Sequence, residues 1–402
     1  MIAMTVQEIA DAVAGEILHL DPQRVITEYP VIDSRLAQAD TFFIALPGEN
    51  LDGADFVEDA ISQGATFALT HKESESPSIV VQDVAAALLL LAQAARQQST
   101  ETKFVGITGS QGKTTTKELL GHILSTSGET VVPVGSFNNE IGVPLTILRC
   151  TSKTKYCVLE MGARHEGDLA ILSKVAHPHL GVVLVVGRAH LGEFGDQAAV
   201  ARAKGELIDN LDTGAIAILG NYDEFTPRMG EDRSDLKRIF FGESSDCKVR
   251  ASDVEMREGR AHFDLVTPAG RSAVSLRLIG AHQVANALAA AAVATALDIP
   301  LDTIAATLST AEPTSKLRME LHDLGDFILI NDSYNANPES MSAALSTLTL
   351  FAQERGGSSW AFLGKMHELG ESERRSHQEI GRLASRLGID HLVAVGTDLY
   401  EV

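Results

Sequence analysis

Cysteine is scarce: of 402 residues only Cys150, Cys157 and Cys247 carry a thiol. Their spacing fits no metal-ligand motif and cannot make a disulfide framework, so they are expected as buried thiols in the reducing cytoplasm. Positive charge is also short, with 33 Lys and Arg against 54 Asp and Glu and a net charge of −21. That balance, without any run of Lys or Arg, excludes a nucleic-acid surface. It does not exclude phosphate, because a glycine loop and a bound cation act locally. Long apolar runs are absent too. The longest, 84–92 and 287–297, are too short to cross a bilayer and predict buried Ala/Leu-rich helices, so no membrane insertion is expected. The N-terminus has no basic segment before its first apolar residues and predicts an amphipathic helix, not a signal peptide. No internal repeat occurs, and no low-complexity segment beyond the Ala-rich helix.

What is present is globular composition, 45% hydrophobic and 22% charged, in a length that allows two or three domains. Its centre is 104–117, Phe-Val-Gly-Ile-Thr-Gly-Ser-Gln-Gly-Lys-Thr-Thr-Thr-Lys. An apolar strand meets a turn carrying Gly106, Gly109 and Gly112, then Lys113, Thr114 and a helix opening from Thr115. That order makes a phosphate-cradling loop. Glycines let bare N–H groups approach phosphate oxygens, the helix N-terminus adds unpaired donors, Lys113 adds a full charge, and the Thr114 hydroxyl suits magnesium. The generic pattern wants Gly at 107, where this chain has Ile. The competing reading is an ordinary glycine turn with a solvated lysine.

Taken in order, residues 1–83 predict a small α/β domain: a helix over 6–14, strands at 41–46, 67–70 and 79–81, and a helix over 56–63. Asp33-Ser34-Arg35 at a strand end suits an anionic or heterocyclic ligand, or is a turn with a surface arginine. Residues 84–312 form the central domain. It opens with a helix over 84–98, and later strands are expected at 129–133, 156–161, 180–186 and 215–219. A polar loop over 136–144 carries Asn138 and Asn139. The strand 156–161 brings Glu160 to its carboxyl end, where an open parallel sheet holds its ligands, and the next strand leads to His190. With Thr114 these make a magnesium-centred constellation, in which Glu160 and Thr114 are the favoured oxygen ligands and His190, on spacing alone, is either a ligand or structural. Lys204, on a helix over 197–211, reads in isolation as a solvated lysine. Residues 222–280 predict a β-rich excursion, followed by the Ala-rich helix with a polar Asn286 that must reach a ligand or bond within the core. From 313 to 402 strands and helices alternate again, predicting a Rossmann-like domain. The fold class is therefore α/β with a parallel sheet and helices on both faces.

These motifs together resemble the Mur ligases, and most closely the branch that joins D-alanyl-D-alanine to UDP-N-acetylmuramoyl-tripeptide. The resemblance rests on Asp33-Ser-Arg, Ala45-Leu-Pro-Gly-Glu, the loop from Gly106 to Glu118, Asn138-Asn-Glu-Ile-Gly-Val-Pro, Glu160-Met-Gly, Ala189-His-Leu, Ala203-Lys-Gly-Glu, Gly280-x-His-x-x-x-Asn286, Arg318-Met-Glu and Tyr334-Asn-Ala-Asn-Pro. It implies that Gly109, Ser110, Gln111, Gly112, Lys113, Thr114 and Thr115 hold the ATP triphosphate. It implies Thr114, Glu160, His190 and Lys204 as magnesium residues, with Lys204 carried as a carbamate and so acting as an oxygen ligand. Asn286 resembles an adenine contact, Asp332 and Asn335 ribose-side contacts, and Arg318 the arginine that reaches the γ-phosphate. Ser34 and Arg35 resemble uridine-diphosphate contacts, and Asn138 and Asn139 are expected at the substrate. Lys113, Lys204, Arg318 and His190 are the expected catalytic residues. The chain departs from the common pattern at Leu184-Val185, Gly192 and Gln283, and it ends before a Lys-Gly-Ser-Arg-like motif, so its third domain is expected to be truncated.

The activity so implied is ATP- and Mg2+-dependent amide formation through an acyl phosphate, by a cytoplasmic monomer of peptidoglycan precursor synthesis that serves cell-wall biogenesis, cell shape and division. Phosphoryl transfer of this kind is catalysed mainly by positioning and electrostatics. An α-amino pKa near ~8 leaves roughly a tenth of the amine neutral at pH 7, so no dedicated base is assigned. The alternatives are another Mur-type ligase such as the third-residue-adding enzyme, a P-loop NTPase without ligase activity, and a non-catalytic binding protein.

Overall fold

The computed structural model describes residues 1–187, 194, 196–312 and 314–401. The chain divides into two compact units, Met1–Val105 with Gly128–Met161 and Ile171–Pro178, and Gly106–Ser127 with Gly162–Ala170 and His179–Val402.

In the first unit, Thr5 caps the helix Val6–Val13, its hydroxyl accepting from the Glu8 N–H while the Glu8 carboxylate accepts from the Thr5 N–H. Val6, Ile9, Ala10 and Val13 fall on one face and are buried, as the spacing predicts. A four-stranded sheet runs Glu16–Leu18, Ser78–Val80, Ala68–Thr70, Phe43–Ile44, antiparallel at its first pair and parallel thereafter. Phe42 and Phe67 stack beneath it with ring centroids 4.8 Å apart, and each fully buried ring contributes about 2–3 kcal/mol. The helix Val84–Gln98 has the predicted limits and is capped by Asp83. Its Arg96 lies over the Phe104 ring and donates to the carbonyls of Ala176 and His177. The strand Tyr156–Glu160 pairs in parallel with Thr130–Val131. The loop expected over 136–144 ends early, because a short buried helix, Gly142–Ile147, starts within it, its first N–H donating to Asn139 Oδ1 at 3.0 Å.

In the second unit the phosphate-loop helix is Lys113–Ser125, and the Ala-rich helix Gln283–Ala296 packs against it. Alanines at this contact let the two backbones approach closely. The strands Leu180–Val183, Ile216–Gly220, Lys237–Gly242 and Val249–Arg257 pair in parallel, and Arg260–Thr267 and Gly270–Ile279 continue antiparallel. The region 222–280 is thus no excursion but an extension of the sheet. Period-two alternation gives the strands but not which edge they join. Helices Asp168–Ala176 and Leu301–Thr310 were not anticipated. Towards the C-terminus come a hairpin, Glu320–Asp323 with Ile328–Asn331, the helix Pro338–Arg355, and a parallel pair, Trp360–Leu363 with His391–Ala394. Ile279, Met319 and Phe351 form one small core under the hairpin. All three cysteines are buried thiols. No helix among the described residues is long and apolar enough to cross a membrane.

Candidate active site

The strand Lys103–Thr108 runs into the glycine loop, and two of its glycines are sterically required. Gly112 has φ +82°, and a Cβ there would lie 2.2 Å from Asn286 Oδ1; at Gly109, with φ +151°, it would lie 2.8 Å from the Leu184 Cβ. Gly112 caps the following helix, Lys113–Ser125, with no side-chain hydrogen bond, and a helix N-terminus of this kind favours an anion. Lys113 Nζ donates to the Gly109 carbonyl at 2.7 Å, curling the loop around its own cation. Thr114 and Ser110 are buried in the loop.

The segment 184–187 braces this loop from beside it. Leu184 N–H donates to Thr108 O (3.0 Å), Ser110 N–H to Val185 O (2.9 Å), and Gly187 N–H to Ser110 Oγ (2.8 Å). Val186 is gripped on its other side: its N–H donates to Asp223 Oδ2 and its carbonyl accepts from Gln197 Nε2, both at 3.0 Å. Neither Asp223 nor Gln197 was anticipated as a site residue. His190 lies outside the described residues, as do its neighbours 188, 189 and 191–193.

Asn286 is buried against Gly112, donating to Gln283 Oε1 at 2.8 Å, and its Oδ1 lies 3.5 Å from the Thr116 hydroxyl. A polar residue in so apolar a helix therefore bonds within the core at the phosphate loop. Burial holds the neighbouring His282 ring well below the usual imidazole range, at about 4, so it stays neutral.

Glu160 ends its strand fully buried, and Asn138 Nδ2 donates to its Oε1 at 3.0 Å. Its Oε2 is buried with no hydrogen-bond partner among the described residues. A buried carboxylate oxygen without a donor is unfavourable unless a cation completes it.

Lys204 sits on the helix Gln197–Asp209, which Asp196 caps at its start and Arg233 at its end by donating to the Asp209 and Leu211 carbonyls. The residue is only 2% exposed, so the solvated reading is wrong. Burial, helped by the Lys113 charge, pulls its amine down to about 7. Glu206, two residues on, accepts from the Gly167 and Ala170 N–H groups at the start of the helix Asp168–Ala176.

Arg318 stacks over the Tyr334 ring, 3.9 Å from its centroid. Its neighbours Leu317 and Met319 both have left-handed backbone, φ +61° and +49°. That conformation costs a side-chain-bearing residue about 1–2 kcal/mol. Asp332 Oδ1 accepts from the Met319 N–H at 3.1 Å, and burial raises its carboxyl to about 6 against the opposing effects of that bond and of Arg318. Asn335 is exposed, its Oδ1 accepting from the Ala336 N–H. At Gly187 a Cβ would lie 3.2 Å from the Glu339 carboxyl carbon, so the start of the helix Pro338–Arg355 stands beside the phosphate loop. Ser34 opens a short 3-10 turn in the first unit, where the exposed Arg35 forks onto Asp33 at 2.9 and 2.6 Å.

Comparison with known proteins gives this arrangement a family. Three family models match in order: "Mur ligase family, catalytic domain" over residues 31–100, "Mur ligase middle domain" over 107–294, and "Mur ligase, glutamate ligase domain" over 317–401. The UDP-N-acetylmuramoyl-tripeptide–D-alanyl-D-alanine ligase of Mycobacterium tuberculosis is 39% identical across 99% of this chain and 84% of its own. The chain belongs to the Mur ligase family. Among solved structures, MurF from Acinetobacter baumannii superposes with a TM-score of 0.90 at 36% identity over 98% of this chain and 86% of that one. The MurF ligase from Thermotoga maritima in complex with ADP gives 0.81 at 28% identity, covering 93% and 86%. The three-domain α/β fold expected from the sequence is the fold of these Mur ligases.

Proposed function

We propose that this chain joins D-alanyl-D-alanine to UDP-N-acetylmuramoyl-tripeptide at the expense of ATP. It is an ATP-dependent amide-bond-forming ligase of peptidoglycan precursor synthesis. Beyond kinship, the observation that carries this reading is Lys204. It is buried on its helix, only 2% exposed, and burial and the Lys113 charge lower its amine to about 7. A neutral amine is the form that adds to carbon dioxide, losing a proton and gaining a carboxylate head, so Lys204 is suited to the carbamate the family resemblance implies.

A carboxylate is a poor electrophile, since direct attack would have to expel oxide. The terminal carboxylate of the nucleotide-linked peptide therefore attacks the γ-phosphorus of ATP, releasing ADP and forming an acyl phosphate. The neutral amine of D-alanyl-D-alanine adds to that carbonyl, and the tetrahedral intermediate expels phosphate and sheds a proton. Lys113 and the N-terminus of its helix stabilise charge on the phosphoryl oxygens, and Arg318 does so from the C-terminal domain. Bracing of the loop by Ser110 fixes where those oxygens sit.

Magnesium fits the residues present: Glu160 offers a buried oxygen with no hydrogen-bond partner among the described residues and Thr114 a buried hydroxyl, both hard donors. Thr114, Glu160 and carbamylated Lys204 would hold it, with His190, and it would neutralise charge on the phosphates. Asn286 is assigned to the adenine, Asp332 and Asn335 to the ribose, Ser34 and Arg35 to the uridine diphosphate, and Asn138 and Asn139 to the peptide end. Domain boundaries near residues 83 and 312, a monomer, and a cytoplasmic location where ATP and the nucleotide precursor meet complete the reading. Lys113→Ala tests it. The variant should keep its far-UV circular dichroism and lose ligation by at least about a thousandfold, and activity within a few-fold of the parent would sink it.

A further inference from the structure

Arg318 is the one expected phosphate contact held in a strained loop. Leu317 before it and Met319 after it both lie in the left-handed region, where neither side chain is at ease. Such a loop persists only where the surroundings over-determine it, and the fastenings are visible. Glu320 Oε2 accepts from the Leu317 N–H at 3.1 Å. Asp332 Oδ1 accepts from the Met319 N–H at 3.1 Å, and the Leu317 carbonyl accepts from the Tyr334 N–H at 3.0 Å. Glu320 is itself fixed, since it opens the strand Glu320–Asp323 and its other oxygen lies 3.5 Å from His322 Nε2. The Met319 side chain is buried with Ile279 and Phe351. The backbone on each side of Arg318 is thus pinned, while the guanidinium lies on the face of Tyr334.

We propose that Glu320 is a positioning residue for the ligase reaction: with Asp332 it holds the left-handed backbone on either side of Arg318 and so aims the guanidinium at the transferring phosphoryl group. A long arginine on an unstrained loop samples many rotamers, and each must be frozen out when phosphate arrives. Fixing the loop beforehand moves that cost into folding, where it favours the transition state. Stacking on Tyr334 uses the guanidinium face and spends none of its N–H donors, and among the described residues none of these donors has a hydrogen-bond acceptor.

The inference rests on the ligase reading, and the experiment separates the two. Steady-state kinetics in ATP are measured for Arg318→Ala, Glu320→Ala, Glu320→Gln, Leu317→Gly and the double variant Leu317→Gly/Glu320→Ala, with thermal unfolding of each. Arg318→Ala should lose at least about a hundredfold in kcat; if it does not, the ligase assignment of Arg318 fails and takes this inference with it. Given that loss, Glu320→Ala should lower kcat about tenfold with KM for ATP changed less than threefold. Glu320→Gln keeps a carbonyl oxygen for the Leu317 N–H and should recover most of that loss. Glycine takes a positive φ at no steric cost, so on the Leu317→Gly background the Glu320→Ala effect should shrink to about threefold or less. An equal effect on both backgrounds, a kcat unaltered by Glu320→Ala, or a loss that merely follows the unfolding temperature would overturn the proposal.

Discussion

Asn138 Nδ2 donates to Glu160 Oε1, while the buried Oε2 of the same carboxylate has no hydrogen-bond partner among the described residues. One oxygen is thereby committed to the protein and the other reserved. An amide donor on Oε1 also fixes the carboxylate plane, so the reserved oxygen points one way only.

Removing the donor should therefore show as a metal defect. Asn138→Ala is expected to raise the Mg2+ concentration for half-maximal activity about tenfold, while kcat at saturating Mg2+ falls less. A magnesium titration of variant and parent checks this, and coincident curves would separate Asn138 from the cation.

Gly112→Ala should be far more damaging than its single methyl suggests. The new Cβ would sit 2.2 Å from Asn286 Oδ1 in a backbone conformation that alanine disfavours by about 1–2 kcal/mol. Loss of ATP binding, followed by titration calorimetry, should accompany a drop in melting temperature. The doubly relieved variant Gly112→Ala/Asn286→Ala should regain stability without regaining nucleotide affinity. If the single substitution binds ATP like the parent, the close fit of Gly112 to Asn286 has been misread.

Lys204 makes a prediction in pH. Its amine is pulled from 10.5 to about 7, so the neutral form that takes up carbon dioxide disappears as pH falls below about 7. At fixed dissolved carbon dioxide, activity should decline on that side, and raising the carbon dioxide concentration should move the decline to lower pH. Lys204→Ala should lose most activity at every pH and regain part of it with millimolar short carboxylates. Full activity of Lys204→Ala without added carboxylate contradicts the carbamate role.

Asp332 works the other way. Its folded value of about 6 stands above the ordinary 3.8, so between these limits the folded state binds more protons than the unfolded one. This group's contribution to stability therefore increases as pH drops from about 6 to 4 and is lost as pH rises through 6. Asp332→Asn, which keeps an acceptor for Met319, should flatten the stability profile over that window in denaturant titrations. A profile of unchanged slope would show that the buried carboxyl is not the group responsible.

How much of this could be read from residues alone depended on whether the signal was local. The loop from Gly106 to Lys117 carries its own turn chemistry, and the helix limits at 84 and 98 follow from Asp83 as a cap and an apolar run of fixed length. The strands between 237 and 279 were legible, but their place in the sheet was not, because pairing partners are set by tertiary contacts. Lys204 was misjudged by its residue type: nothing in Ala-Lys-Gly-Glu shows that the helix turns that face inward. Asp223 and Gln197 escaped notice for a related reason. Both act by bonding the Val186 backbone, Gln197 from eleven residues on and Asp223 from thirty-seven, and backbone partners leave no mark in sequence. The left-handed turns at Leu317 and Met319 are equally silent, since neither residue is one that favours positive φ.

The central claim is that nucleotide cleavage and amide formation are one coupled reaction on this chain. The direct measurement is phosphate release with ATP, UDP-N-acetylmuramoyl-tripeptide and D-alanyl-D-alanine, omitting each in turn, with the peptide product followed by mass. The account predicts that sustained turnover needs all three, with one phosphate per new amide bond. Sustained phosphate release that is indifferent to D-alanyl-D-alanine, with no gain of dipeptide mass on the nucleotide precursor, would contradict it.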